Sequence, residues 1–198
     1  MTAERPSVVV GPDGVPRCGW VGADAEYTRY HDEEWGRPLH GDRALFEKLS
    51  LEGFQAGLSW ITILRRRPAF RAAFHDFDVA RVAAMTPADA ERLMQNALII
   101  RNRAKIEATI ANAALTARLT AEHEGALDEL MWSFAPPPRA APLASLADVP
   151  AVTAESTALS AALRGLGFRF VGPTTMYALM QSSGMVDDHV VGCVRAAA

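Results

Sequence analysis

The sequence predicts an all-α fold, on three observations. Apolar residues recur at helical spacing, as at Ala90, Leu93, Met94, Ala97 and Leu98, which fall at i, i+3, i+4, i+7 and i+8. Alternating runs of β-branched residues, the mark of half-buried strands, are almost missing. The Pro- and Gly-rich breaks lie at residues 1–16 and 135–142, and the chain between and after them reads as a series of helices. The pattern predicts eight to ten short helices in a single domain over residues 17–198.

Residues 1–16 carry Pro, Gly and no sustained period, and predict a flexible N-terminal arm. Next come Cys18 and His31, separated by twelve residues, and they find a counterpart in His189 and Cys193 near the other end of the chain. A spacing of four would put the second pair on one helix face. Two thiolates and two imidazoles are a recognised tetrahedral zinc set. An ion on all four would tie the N-terminal segment to the C-terminal one, so that binding would stabilise the fold. The same residues are also compatible with two buried cysteines and two unrelated histidines, with a disulfide, or with a catalytic zinc that keeps an open position. His40, His75 and His123 have no cysteine nearby and read as surface residues.

Residues 42–57 form an apolar stripe from Leu45, Leu49 and Ala56, and Glu52 falls inside it. An ionised carboxylate turned inward is costly without a partner. It meets either a buried ion-pair partner or a pocket that supplies donors or positive charge. Gly57 and Ser59 interrupt the helix and leave Leu58 exposed at a bend. Trp60 follows. Trp20, Tyr30 and Trp35 lie close to His31 in sequence, so a metal there would hold the Tyr30 phenol rigidly. Aromatic rings beside one acid suit a flat, cationic or hydrogen-bonding ligand.

Thr86, Pro87 and Asp89 announce the start of a helix with a capping hydroxyl, a first-turn proline and an early acid. An Ala-rich helix is expected over 103–119. Residues 135–142 (APPPRAAP) cannot be helical and read as a stiff connector between two helical lobes. Helices are expected again over 156–166 and 174–183. Between them Gly167 and Gly172 bracket a tight hairpin, and Pro173 and Thr174 open a helix whose free N–H groups suit an anion. Arg164 and Arg169 flank it. Arg65, Arg66 and Arg67, and Arg101, Arg103 and Lys105, form further basic clusters, which either grip phosphates or are simply solvated faces.

Composition excludes several classes. With 49% apolar and 22% charged residues, the chain is not disordered throughout. No apolar run approaches the roughly 20 residues of a membrane span, and the N-terminus is no secretory signal, so a cytoplasmic protein is expected. A net charge of −3 leaves nucleic-acid contact to local clusters.

Four blocks then carry a family resemblance: 17–20 (RCGW), 30–38 (YHDEEWGRP), 51–61 (LEGFQAGLSWI) and 187–193 (DDHVVGC). In this order they resemble the signature of the 3-methyladenine DNA glycosylase I family, over residues 17–193. The resemblance implies a helix-hairpin-helix DNA glycosylase-like bundle with a structural zinc on Cys18, His31, His189 and Cys193. It implies hydrolysis of the N-glycosidic bond of 3-methyladenine in alkylated double-stranded DNA, leaving an abasic site. The base would be held by Tyr30, Glu52 and Trp60, with Glu52 also catalytic. The hairpin with Gly167, Gly172 and Thr174 would anchor DNA, and Leu58 would wedge into the base stack. No lysine lies in the matched pocket and hairpin blocks, so no lyase step is expected. Asp187 would either stabilise the sugar cation or cap the helix carrying His189 and Cys193. A monomer is expected by analogy with other small DNA-repair domains.

Overall fold

The computed structural model describes residues 6–196. Two short strands, β1 (Val8–Val10) and β2 (Pro16–Cys18), precede the helices α1 (Ala25–Glu33), α2 (Asp42–Gln55), α3 (Trp60–Ala73), α4 (Val79–Ala83), α5 (Pro87–Gln95), α6 (Arg103–Glu122), α7 (Ala126–Trp132), α8 (Ala154–Gly165) and α9 (Pro173–Ser182). The all-α expectation therefore describes the bulk of the chain, with one hairpin added.

That hairpin corrects the expected arm. Val8 pairs with Cys18 and Val10 with Pro16 in antiparallel register. Three consecutive valines favour extended backbone, and Gly14, at φ 75°, lets the chain turn between the strands. The expected arm's residues 1–5, and residues 197–198, lie outside the described residues.

Helix ends follow their capping residues. Thr86 and Asp89 cap α5 reciprocally, as the sequence suggests, and Thr153 with Ser156 does the same for α8. Helix α5 stops at Gln95, so Ala97 and Leu98 lie beyond it, and Leu98 is exposed. The first acid of α2 serves another helix: Asp42 accepts from the N–H groups of Gly125, Leu127 and Asp128 at the start of α7.

Helix α2 is the central element and packs against α3, α6, α7 and α9. Leu45, Phe46, Leu49 and Phe54 of α2 meet Phe70, Phe74 and Phe77 on one side and Met176, Leu179 and Met180 of α9 on another. Residues from both sides of the 135–142 segment share this one core. A second, smaller apolar cluster joins Cys18, Tyr30, Trp35, Leu64, Val190 and Cys193, and so binds the first and last segments together.

The C-terminal pair differs from expectation. No helix carries His189 and Cys193; α9 ends at Ser182 and the chain continues as turns. Gly184 and Gly192 at φ 72° and 87° break any helical continuation. Asp187 is accordingly no helix cap: its carboxylate accepts the His189 N–H two residues on, which folds the segment locally.

Candidate active site and metal cluster

A cavity of about 390 Å3 opens between α1, α2, α3 and α9. Its walls are aromatic: Trp20, Tyr27, Tyr30, Trp35 and Trp60. Tyr30 and Trp60 face each other with ring centroids 5.6 Å apart, tilted by 48°. The indole N–H groups of Trp20 and Trp60 are buried and have no protein acceptor.

Glu52 lies on the floor, 3% exposed. Its position in the apolar stripe of α2 turns it inward, as the sequence indicates. Ser182 of α9 donates to its Oε1 at 2.9 Å. Burial pushes the Glu52 carboxyl up to about 7, against the opposing pull of the Lys48 charge and the Ser182 hydrogen bond. Tyr30 is raised well above the ordinary phenol range, by burial first and by the Glu52 charge second.

Two groups at this site are missed by the sequence reading. Lys48, one turn before Glu52, is buried, with its Nζ 5.3 Å from the Tyr30 ring centroid and 5.7 Å from that of Trp60. It is not part of the cavity lining but sits against the same two rings. Burial lowers its pKa. The only sequence signal was a spacing of four from an inward-facing acid. The second group is Asp188. It lines the cavity and is fully buried, accepting from the Tyr177 hydroxyl at 2.6 Å and Gln181 Nε2 at 2.8 Å, and it pairs with Arg139 at 2.8 Å. Asp187, the acid singled out from sequence, faces away and bonds His189 Nδ1 at 2.7 Å. Of two consecutive acids, one serves the cavity and the other the histidine.

Behind Trp35 the segments around Cys18 and Cys193 meet. The ligand atoms of Cys18, His31 and Cys193 lie within 4.8 Å of one another, all buried. Cys193 Sγ is 3.3 Å from His31 Nε2. The nearness of the two sulfurs raises the Cys18 thiol, with burial adding to it, and lowers that of Cys193. His189 packs its ring edge-on to His31, centroids 5.0 Å apart, and its Nε2 is buried with no partner. The outer nitrogen of each ring is held by a carboxylate: Asp32 at 2.8 Å from His31 Nδ1, and Asp187 from His189 Nδ1. Arg17 in turn clasps Asp32 through Nε and Nη2. A carboxylate behind the imidazole of His31, with its inner nitrogen beside two sulfurs, is the arrangement of a metal-binding cluster, and His189 packs against that group without joining it. His40, His75 and His123 are not part of it.

Gly36 is required beside this cluster. Its φ is 72°, and a Cβ there would stand 2.7 Å from His189 Cε1. Gly36→Ala is expected to lose at least about 1 kcal/mol of stability from backbone strain alone. A urea melt against the wild type checks it.

The basic clusters are largely committed. Arg65 pairs with Asp24, Arg66 donates to the carbonyls of Ala97 and Leu98, Arg67 pairs with Glu34, and Arg103 pairs with Glu91. Lys105 is buried. Among the described residues Arg101, Arg164 and Arg169 are exposed and carry no ion pair. Arg164 and Arg169 flank the hairpin between α8 and α9, where Gly167 takes φ 95° and Gly172 precedes an α9 N-terminus without a side-chain cap. Thr174 is exposed on that first turn, and Leu58 is 39% exposed at the bend before α3.

A family profile described as methyladenine glycosylase matches residues 20–196. The chain belongs to that family. Among its relatives, DNA-3-methyladenine glycosylase 1 of Escherichia coli (strain K12) is 49% identical over 178 residues, covering 89% of this chain and 95% of the relative. Among solved structures, a crystal structure of 3-methyladenine DNA glycosylase I superposes with a TM-score of 0.86 at 48% identity, covering 90% of this chain and 98% of the other. A Staphylococcus aureus enzyme, described for its recognition of 3-methyladenine, superposes at 0.81 with 36% identity, covering 86% of this chain and 91% of the other. The family thus shares the whole architecture around the cavity, and not an isolated motif. Among the described residues no helix is long and apolar enough to cross a membrane.

Proposed function

We propose that this glycosylase excises 3-methyladenine from alkylated double-stranded DNA and leaves an abasic site, with the aromatic cavity receiving the extruded base. The observation that carries this reading is Glu52, an acid on the floor of a slot walled by Tyr30 and Trp60. Methylation at N3 gives the base a positive charge while it is still bonded to the sugar. Ring faces and a carboxylate attract such a cation. Tyr30 and Trp60 stack on it, and ionised Glu52 accepts hydrogen bonds from its donor edge.

The N-glycosidic bond breaks with its electron pair passing to the base, which leaves neutral. Water oxygen bonds to the sugar carbon and its proton goes to solvent. The base is already a good leaving group, so the enzyme mainly has to extrude and hold the nucleotide. Interactions that strengthen as charge shifts from base to sugar accelerate the step. The helix-hairpin-helix assignment rests on the Gly167–Gly172 hairpin: the free N–H groups of α9 and Thr174, with Arg164 and Arg169, grip backbone phosphate. Leu58 fills the gap left by the extruded nucleotide.

Cys18, His31, His189 and Cys193 hold a structural zinc. Two converging sulfurs and the partnerless Nε2 of His189 support the fourfold set. The ion's role is to join the N-terminal hairpin to the C-terminal turns, and thereby to fix Tyr30 beside His31. The assignments of a soluble cytoplasmic location and a monomer complete the proposal. Release of free 3-methyladenine from methylated duplex DNA, identified by chromatography, tests the activity. Methylated DNA left intact by the pure protein contradicts it.

Lys48 sets the working pH. With Lys48 present the Glu52 carboxyl titrates near 7, so excision falls as pH drops through that value. Lys48→Met removes the one cation that holds Glu52 down, and the acid limb is expected to move to higher pH by about one unit or more. A pH–rate profile checks it, and Lys48→Arg should restore the limb.

A further inference from the structure

Helix α6 carries two side chains that fasten separate exposed segments. Lys105 Nζ donates to the carbonyls of Phe54 and Ala56, at 2.8 and 2.6 Å, and so satisfies the C-terminal end of α2. The same ammonium lies 6.0 Å from the ring centroid of Phe170. Two turns along α6, Asn112 clasps the backbone of Arg169 twice: Nδ2 donates to its carbonyl at 3.0 Å, and its N–H donates to Oδ1 at 2.9 Å. Ser160 of α8 then holds the Val171 carbonyl at 2.6 Å.

Phe170 stands between these two clasps. Its φ is 58°, in the left-handed region that favours glycine or asparagine, and its side chain is 37% exposed. Neither property helps the hairpin fold. A glycine would remove the strain, and a polar residue would remove the exposed ring. Strain kept at an exposed aromatic points to use of the ring.

The hairpin packs against the helix that carries Glu52. Phe170 Cβ stands 3.4 Å from where a Cβ on Gly53 would lie, and Gly53 follows Glu52. Leu58 is tied to the cavity rim, because its carbonyl accepts from Gln55 Nε2 at 2.8 Å and Gln55 lines the cavity. Two exposed apolar side chains therefore flank the helix that carries Glu52, Leu58 just past its end and Phe170 against Gly53, with the unpaired Arg164 and Arg169 beside the second.

We propose that Phe170 is a second apolar contact to DNA, packing against the distorted duplex next to the extruded nucleotide, with Lys105 and Asn112 holding it in register with Leu58. The proposal rests on the reading of the cavity as a base site. Extrusion leaves exposed base faces and a widened groove, which an aromatic ring can cover. Unpaired arginines alongside supply the phosphate attraction.

The test measures two affinities. One ligand is a duplex with a single abasic-site analogue; the other is free 3-methyladenine. Phe170→Ala is expected to weaken duplex binding about tenfold and to leave free-base binding unchanged, and Phe170→Tyr to restore the duplex affinity. Phe170→Gly removes the ring and the left-handed strain together, so it should melt no lower than wild type yet bind duplex as weakly as Phe170→Ala. Wild-type duplex affinity in Phe170→Ala overturns the proposal. So does an equal loss of both affinities, which would mark a merely structural role. Duplex binding is read without catalysis, so an inactive wild type counts against the glycosylase reading and not against this contact.

Discussion

Glu52→Gln is expected to lower the excision rate at pH 8 by a hundredfold or more, while the protein melts at a temperature no lower than wild type. Both halves follow from one buried carboxylate. At pH 8 the group, titrating near 7, is mostly ionised. The amide that replaces it keeps the shape and still accepts from Ser182, but it has no charge to offer the positive charge that moves onto the sugar as the bond breaks. Removing one preorganised group aimed at transition-state charge typically costs about 10²–10³ in rate. Stability moves the other way. Glu52 has its folded pKa raised above the ordinary carboxylate value of 4.5. Its favourable contribution is therefore fully present below that value and is lost as pH rises through 7. A neutral residue avoids this loss, so the variant gains at pH 8 by no more than about 3 kcal/mol. Lys48, left without its counter-charge, takes part of that back. Single-turnover excision and thermal melting on the same sample check the two halves. An active variant removes Glu52 from the mechanism.

The metal cluster gives the second large effect. Cys193→Ala, or exhaustive chelation, is expected to remove one zinc per chain and to lower the melting temperature by about 10 °C, the equivalent of roughly 3 kcal/mol in a domain of this size. Cys193 is buried against His31 and Cys18, and the small core around it holds both ends of the chain. Binding needs deprotonated thiols and neutral imidazoles, so the effect weakens as pH falls and the wild type then approaches the variant. Elemental analysis reads the first outcome and calorimetry the second. A metal-free wild type with an unchanged melt contradicts the assignment.

Much of this was legible in the sequence because local rules and the tertiary fold agree. Thr86-Pro87 starts α5 where its chemistry dictates, and the glycines of 167 and 172 bracket the hairpin they predict. Glu52 was legible because helical periodicity alone forces it inward. The remainder depended on partners distant in sequence. Val8–Val10 is a strand only because residues 16–18 return beside it. His189 and Cys193 converge through glycine turns, which a spacing of four cannot distinguish from a helix. Asp187 and Asp188 are equivalent in sequence, and only the path of the chain sends one to His189 and the other to the cavity. Lys48 reads as an ordinary exposed helix residue until Tyr30 and Trp60 close over it. The arginines of 65–67 look free until Asp24, Glu34 and the loop after α5 are brought to them.

The central claim is that an acid-floored aromatic slot accepts a methylated purine. Titration of the protein with free 3-methyladenine, followed by tryptophan fluorescence, tests it most directly, since Trp20, Trp35 and Trp60 all line the cavity. Saturable quenching by 3-methyladenine is predicted, with weaker quenching by adenine and a loss of the response in Glu52→Gln. Equal quenching by both purines, indifferent to residue 52, would contradict the account.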